Sequence, residues 1–341
     1  MSETDRHIDA PTSASLQHVI DNKTKPPGSL GRIEALALQV GLLQQISEPR
    51  MHKCRLTIFA ADHGIVAAGV SAYPQEVTQQ MVLNFLAGGA AANVFARSQG
   101  IDVQVVDAGV AGQPIEHPDL LDRRLGAGTA NSAEVPAMTV EQCQQALHWG
   151  RELGEHDDVD AVCIGEMGIG NTSAATLIVH KLLGVSVEQL TGRGTGLDDA
   201  GLGRKQAVLE QAAARVTGDV SVEQVLAEWG GFEIVMMTGA MLGAASRGVL
   251  VIVDGFIATA AAAAAMALDP SVRDAMVFAH RSAERGHAAV LDALSVQPLL
   301  DLDMRLGEGT GALLAWPLVR SAAAMLAEMA SFDSAGVSGP A

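Results

Sequence analysis

Six short apolar runs, each leading into a loop that contains glycine or aspartate and then into residues of helical periodicity, constrain this chain more than any other feature. They cover residues 56–60, 103–106, 161–164, 249–253, 275–279 and 299–302. Strands that alternate with helices need crossover connections, so the pattern predicts an α/β fold built on a mostly parallel sheet. In such sheets ligands bind outside the carboxyl ends of the strands. The polar and glycine-rich motifs fall at those ends: Asp62-His63-Gly64, Asp107-Ala108-Gly109, Gly165-Glu166-Met167-Gly168, Asp254-Gly255, His280-Arg281-Ser282 and Glu308. Their coincidence predicts an enzyme with one composite site.

The ends of the chain read differently. Residues 1–50 are helical without strands and are broken at Lys25-Pro26-Pro27-Gly28-Ser29-Leu30-Gly31, after which Ile33, Leu36, Val40 and Leu43 recur at helical spacing. The last stretch is again helical up to a Gly/Ser/Pro tail. Residues 1–50 with about 312–335 are expected to form a small helical domain, and 51–311 the large α/β domain that carries the site.

Composition narrows the partners. A net charge of −17 argues against nucleic acid, which calls for clustered Lys and Arg. Cys54, Cys143 and Cys163 show neither CxxC pairing nor zinc spacing and read as reduced thiols of a cytoplasmic protein. Ten histidines form no HExxH-type cluster, so no metal is expected. The acidic N-terminus, with Glu3, Asp5 and Asp9, predicts no secretory signal. The apolar run 249–268 contains Asp254 and Gly255 and is mostly alanine in its second half, which fits a strand followed by a closely packed helix and not a membrane span.

Two loops suit a phosphate. Gly165-Glu166-Met167-Gly168-Ile169-Gly170-Asn171-Thr172 follows a strand and opens a helix. Its spacing nearly matches GxxxxGK[ST], but Asn171 stands where the lysine that reaches a nucleoside triphosphate would be. The remaining glycine turn and helix N-terminus suit one phosphate group. The order of glycines also fails the dinucleotide fingerprint. A second loop, Thr191-Gly192-Arg193-Gly194-Thr195-Gly196, is followed by Arg204-Lys205. Lys205 is the expected phosphate cation, as a flexible point charge. Arg193 fits either a phosphate contact or a salt bridge to Asp198 or Asp199. Glu166 would be repelled by a phosphate, so it is expected to pair with a cation or to face a sugar hydroxyl or the second substrate.

Near the end of the chain, Arg305-Leu306-Gly307-Glu308-Gly309-Thr310-Gly311 sets one carboxylate among glycines, just before a long helical pattern. Glycines let a ligand or another backbone come close. Glu308 fits either a capping role in the turn or a general base.

In order along the chain, KPPGSLGRIEALA from Lys25, ADHGI from Ala61, PQEVTQQMVLNFLAGGAAANVFA from Pro74, GEMGIGNTSAA from Gly165, GRGTGLDD from Gly192, GGFEI from Gly230, DGFI from Asp254, HRSAERGH from His280 and LDLDMRLGEGTGA from Leu300 are present. Together they resemble the nicotinate-nucleotide–dimethylbenzimidazole phosphoribosyltransferase family over residues 25–330. Ala279, Arg285 and Asp303 depart from it, standing where Ser, Pro and Gly are expected, and bear on pocket shape and base preference.

The resemblance implies a Rossmann-like three-layer parallel sheet, a small helical domain from both chain ends, a homodimer and no metal or other cofactor. It implies transfer of phosphoribose from nicotinate mononucleotide to 5,6-dimethylbenzimidazole or a related base, with inversion at the anomeric carbon. On it, Glu308 is the catalytic base. Glu166, Gly168, Ile169, Gly170, Asn171, Thr172, Arg193, Gly194, Thr195 and Lys205 hold the nucleotide, and Ser71, Gln79, Leu306 and Gly307 line the base pocket. Gln79 and its neighbour Gln80 are equal candidates. Transfer to a purine or phenol, and a catalytically silent nucleotide-binding module, remain alternatives.

Overall fold

In the computed structural model, which describes residues 10–155, 158–194 and 196–338, the apolar runs become strands of one sheet. They are β1 (Cys54–Ala61), β2 (Asp102–Gly109), β3 (Leu120–Asp122), β4 (Ala161–Met167), β5 (Leu250–Val253) and β6 (Met276–Phe278). The order is β3-β2-β1-β4-β5-β6, and every pairing is parallel. Successive side chains of a strand point to opposite faces. β5 is buried at every residue and β4 at all but its last, so both faces of the central sheet are covered. That is the three-layer arrangement of a parallel sheet.

One apolar run behaves otherwise. Of residues 299–302 only β8 (Leu300–Asp301) is extended, and it pairs with β7 (His280–Arg281) in a separate two-stranded sheet. β3 and β7 carry no apolar run, because each is only two or three residues long and partly exposed.

The helices are α1 (Ser13–Asp21), α2 (Arg32–Gln44), α3 (Glu76–Leu86), α4 (Ala91–Gln99), α5 (Val140–Gly154), α6 (Asn171–Leu183) and α7 (Val187–Leu190). They continue as α8 (Asp199–Ala214), α9 (Val222–Trp229), α10 (Phe232–Ser246), α11 (Phe256–Leu268), α12 (His287–Ala293), α13 (Thr310–Glu328) and α14 (Phe332–Ala335). Glycine explains how tightly two of them meet. A Cβ on Gly150 or Gly154 of α5 would lie 2.1 Å from the carbonyl oxygens of Met236 and Ala240 in α10. A Cβ on Gly239 or Gly243 of α10 would lie 2.3 or 2.2 Å from those of Leu147 and Arg151. Backbone rests on backbone there, and only glycine permits it. The run 249–268 is β5, a turn at Gly255 and α11, whose first ten residues are all buried.

The chain divides into two compact units, Lys53–Ala315 and Met1–His52 with Trp316–Ala341. In the smaller, Lys23 donates to the carbonyl of Met329 at 2.6 Å and forms an antiparallel bridge with Ser331, so the chain ends are tied together. The Pro-Pro-Gly loop is closed by Glu34, which accepts from the N–H groups of Gly28 and Leu30 and pairs with Lys25 at 2.9 Å. Among the described residues, α13 alone is long and apolar enough to cross a membrane, and 61% of its apolar window is buried inside the protein.

Candidate active site

Because β1 is flanked by β2 on one side and β4 on the other, the sheet has a switch point beside β1, where connections leave in opposite directions and a crevice opens. A cavity of about 270 Å³ lies at these strand ends. The segment after β1 contributes Ser71 and Tyr73 to its wall, and the passage from β4 into α6 contributes Glu166 to Thr172. Gly194, Glu284, Arg305, Leu306 and Gly307 close the other sides. Gly255, His280 and Ser282 line it from the ends of β5 and β7.

The loop from β4 turns sharply. Gly168 lies so close to β1 that a Cβ would sit 2.4 Å from the carbonyl oxygen of Ala61. Gly170 caps α6 with φ of 98°, a left-handed value. The start of α6 therefore borders the cavity with the positive end of the helix behind it, although the N–H groups of Asn171 and Ser173 are already bonded to the carbonyls of Gly168 and Gly170. Lys205 reaches the same place from α8, donating to Thr172 Oγ1 at 2.8 Å. The expected point charge is a buried one: the Lys205 side chain is 1% exposed, and burial lowers its pKa to about 8 against the opposing pull of Glu284. Gly194 lies beside both Thr172 and Lys205. Arg193 stays outside. Its side chain is exposed and pairs with Asp199, one of the two alternatives its sequence left open. Thr195 lies outside the described residues.

The turn at Glu308 is unusual. Gly307, Glu308 and Gly309 are left-handed in succession, with φ of 86°, 63° and 79°. A non-glycine residue held there costs about 1–2 kcal/mol, which the surrounding packing must offset. That packing is close. A Cβ on Gly165 would fall 2.6 Å from the carbonyl carbon and oxygen of Glu308, and one on Gly309 would fall 2.5 Å from Leu56. The Glu308 carboxylate is buried and accepts from the N–H of Ala92, in the first turn of α4, at 3.4 Å. Burial pushes its pKa up, the nearby Asp254 charge adds to the rise, and the Ala92 hydrogen bond opposes both. Glu308 sits just behind the cavity wall, while its neighbour Gly307 is part of it.

Among the described residues, no cation pairs with Glu166. Its carboxylate accepts from Asn171 Nδ2 and abuts Gly307. Burial and the charges of Asp254, Glu233 and Glu308 raise its pKa to about 8, so it holds a proton at neutral pH. Ser71, Leu306 and Gly307 of the expected base pocket meet at the cavity, with Leu306 56% exposed at its rim. Gln79 does not join them; its amide donates to the carbonyl of Gln113 at 3.4 Å.

Several residues of the site were given no role from sequence. Glu284 faces Lys205 and Arg305, Asp254 and His280 stand 3.7 Å apart, and His63 and Glu233 form a buried pair at 2.6 Å beside Gly168. The signal for Asp254, His280 and His63 was their place at strand ends; Glu233 and Glu284 were marked only as members of the GGFEI and HRSAERGH motifs. Asp303, which stands where the family resemblance expects glycine, has φ of 54°, a conformation that aspartate tolerates better than most residues.

A phosphoribosyltransferase family model matches residues 6–337. The nicotinate-nucleotide–dimethylbenzimidazole phosphoribosyltransferase of Aromatoleum aromaticum is 54% identical over 328 residues, covering 95% of each chain. That of Dechloromonas aromatica is 53% identical over 337 residues, covering 97% of each. The crystal structure of CobT from Thermus thermophilus superposes with a TM-score of 0.93 at 46% identity, covering 96% of this chain and 99% of that one.

Proposed function

The chain belongs to the nicotinate-nucleotide–dimethylbenzimidazole phosphoribosyltransferase family, and we propose from that premise that it transfers phosphoribose from nicotinate mononucleotide to 5,6-dimethylbenzimidazole, releasing nicotinate and an α-ribazole phosphate. The observation that carries this reading is the meeting in one cavity of an anion cradle and a carboxylate turn. The cradle is the start of α6 backed by Lys205; the turn brings Leu306 and Gly307 to the cavity wall with Glu308 directly behind them.

In this reading the 5′-phosphate lies at the start of α6, against the N–H groups of Gly170 and Thr172, with Lys205 supplying charge through the same corner. Arg193 and Thr195 stay in the proposed nucleotide contact set by family resemblance; Arg193 is paired with Asp199, and Thr195 lies outside the described residues. The base lies between Ser71 and Leu306. A benzimidazole ring nitrogen donates its lone pair to the anomeric carbon on the face opposite nicotinate. The bond to the pyridinium nitrogen breaks, and its electron pair returns to that nitrogen, so nicotinate leaves without protonation and configuration inverts from β to α. As the first ring nitrogen bonds to carbon, the other N–H becomes acidic, and Glu308 takes its proton. A carboxylate with a raised pKa is a stronger base than an exposed one, and burial provides that rise. Glu166, neutral at pH 7, can face the ribose without repelling the phosphate.

We also take the enzyme to act as a homodimer in the cytoplasm. The reduced state of its three buried cysteines is consistent with that compartment, and light scattering tests the oligomer.

The direct test incubates the protein with nicotinate mononucleotide and 5,6-dimethylbenzimidazole and follows both products by chromatography. One α-linked nucleotide per nicotinate released is the expected result. Nicotinate release without a matching nucleotide would make the protein a hydrolase, and tight nucleotide binding without release would make it a binding module. Because Leu306 and Tyr73 leave the rim open, adenine and phenol belong in the same assay as competing acceptors.

A further inference from the structure

The turn that places Glu308 is closed within its own segment by Thr310, whose hydroxyl donates to the Gly307 carbonyl at 2.8 Å, and it is restrained further from outside. The restraint comes from the end of β5. Asp254, buried to 2% exposure, accepts from the N–H of Ala312 at 2.9 Å and also from the N–H groups of Gly309 and Gly311. These are backbone donors at and just before the start of α13, which begins at Thr310. Unpaired N–H groups at a buried helix start are costly, and a carboxylate that accepts several of them is held in place by them. His280 supports it from the other side, with Nε2 3.7 Å from Asp254 Oδ1 and its ring so near Gly311 that a Cβ there would fall 2.0 Å from His280 Cδ2.

We propose that Asp254 is a positioning residue for the transfer reaction: it fixes the left-handed Gly307-Glu308-Gly309 turn by binding the backbone on its far side, and so holds Glu308 where it meets the acceptor base. The inference rests on the reading of Glu308 as the base. The geometry has three parts. Gly165 of β4 supports the turn from below, Ala92 N–H at α4 holds the Glu308 carboxylate, and Asp254 draws the following backbone toward β5. Removing the third leaves the Gly165 packing, the Ala92 contact and the Thr310 bonds to the Gly307 carbonyl to hold the turn against the intrinsic cost of its left-handed backbone, with nothing anchoring the backbone that follows it to β5.

Asp254 has a second consequence through charge. The ionisable groups around Glu308 are Asp254 after β5, Glu166 on β4, with Glu233 of α10 acting on Glu166 and His280 on Asp254. A carboxylate beside Glu308 disfavours its ionised form. Loss of the Asp254 charge therefore lets Glu308 remain a base at lower pH.

The test is the pH dependence of kcat for D254N beside the unaltered enzyme and E308Q, with KM measured for each substrate. The amide of D254N keeps an oxygen acceptor and loses the charge. The expected result is a kcat lower by about tenfold or more, since a small displacement of a reacting group is costly. KM for nicotinate mononucleotide should stay within about twofold, and the acid limb of the kcat profile should move to lower pH. A merely structural residue would not move that limb. An unchanged kcat and an unmoved limb in D254N would overturn the proposal. If E308Q retains normal turnover, the base reading fails instead, whatever D254N does. Should D254N not fold, D254S offers a smaller acceptor for the same N–H groups and is read by the same profile. Failure of both variants to fold would assign Asp254 to stability alone and overturn the positioning role.

Discussion

Replacing Glu308 by glutamine isolates chemistry from structure. The substitution is isosteric and keeps an oxygen that can accept from Ala92 N–H, now 3.4 Å away, so the side chain should stay in place. What it removes is the capacity to take a proton. General-base catalysis contributes about 10²–10⁴-fold, so turnover should fall by that factor, equivalent to about 2.7–5.5 kcal/mol in the barrier. Nucleotide binding should change little, because Glu308 lies behind Gly307 and away from the α6 cradle. Stability moves the opposite way from activity. Burial raises the Glu308 pKa in the folded protein, so the folded state favours the protonated acid. That preference is fully present below the unfolded-state pKa and is lost as pH rises through the folded-state value. E308Q stays neutral throughout and should be as stable as the parent in acid and at least as stable at pH 8. The assay is nicotinate release under saturating base, with nucleotide affinity from calorimetry and urea denaturation at pH 4.5 and pH 8. Turnover within about threefold of the parent would refute the base assignment. A lower denaturation midpoint at pH 8 would refute the account of the carboxylate's environment.

Other outcomes follow from the same geometry. Lys205→Met should raise KM for nicotinate mononucleotide by about 10–100-fold while leaving KM for the base near its parent value, as expected for losing a hydrogen bond to a charged group. Because burial lowers the Lys205 pKa to about 8, the unaltered enzyme should hold its nucleotide well below pH 8 and lose affinity above it, which titration calorimetry across that range would detect. Glu166, raised to about 8 in the folded protein, stabilises it fully only below the ordinary carboxylate range; denaturation free energies should fall by up to about 1.4 kcal/mol per pH unit between about pH 4.3 and pH 8 and level off above, and Glu166→Gln should remove that slope. Gly165→Ala would place a methyl 2.6 Å from the Glu308 carbonyl, and overpacking of this kind costs about 1–3 kcal/mol, so both denaturation midpoint and turnover should drop together.

Much of the fold was legible because its signals are local. Apolar runs of four or five residues closed by Asp62, Asp107, Gly165 and Asp254 mark strands buried on both faces, and those strands form. The run 299–302 misled because apolar content alone does not say which sheet a segment joins, and only Leu300 and Asp301 pair, with His280 and Arg281. At the site, the Gly168 to Thr172 cradle and the Glu308 turn were readable, since glycine spacing reports backbone conformation directly. Lys205 was readable as a cation but not as a buried one. The salt bridge of Arg193 and the displacement of Gln79 from the cavity depend on rotamers, which leave no trace in spacing.

By itself the sequence determined the alternation of strand and helix, the placing of loops at strand ends and the membership of a family, because periodicity and glycine position act within one segment. Only the tertiary structure decided which segments meet. Asp254, Glu166 and Glu308 are far apart in the chain and become neighbours when β4, β5 and the start of α13 come together. Their protonation follows from that meeting, since burial and mutual charge set the pKa of each, and neither is encoded in any one of the three segments.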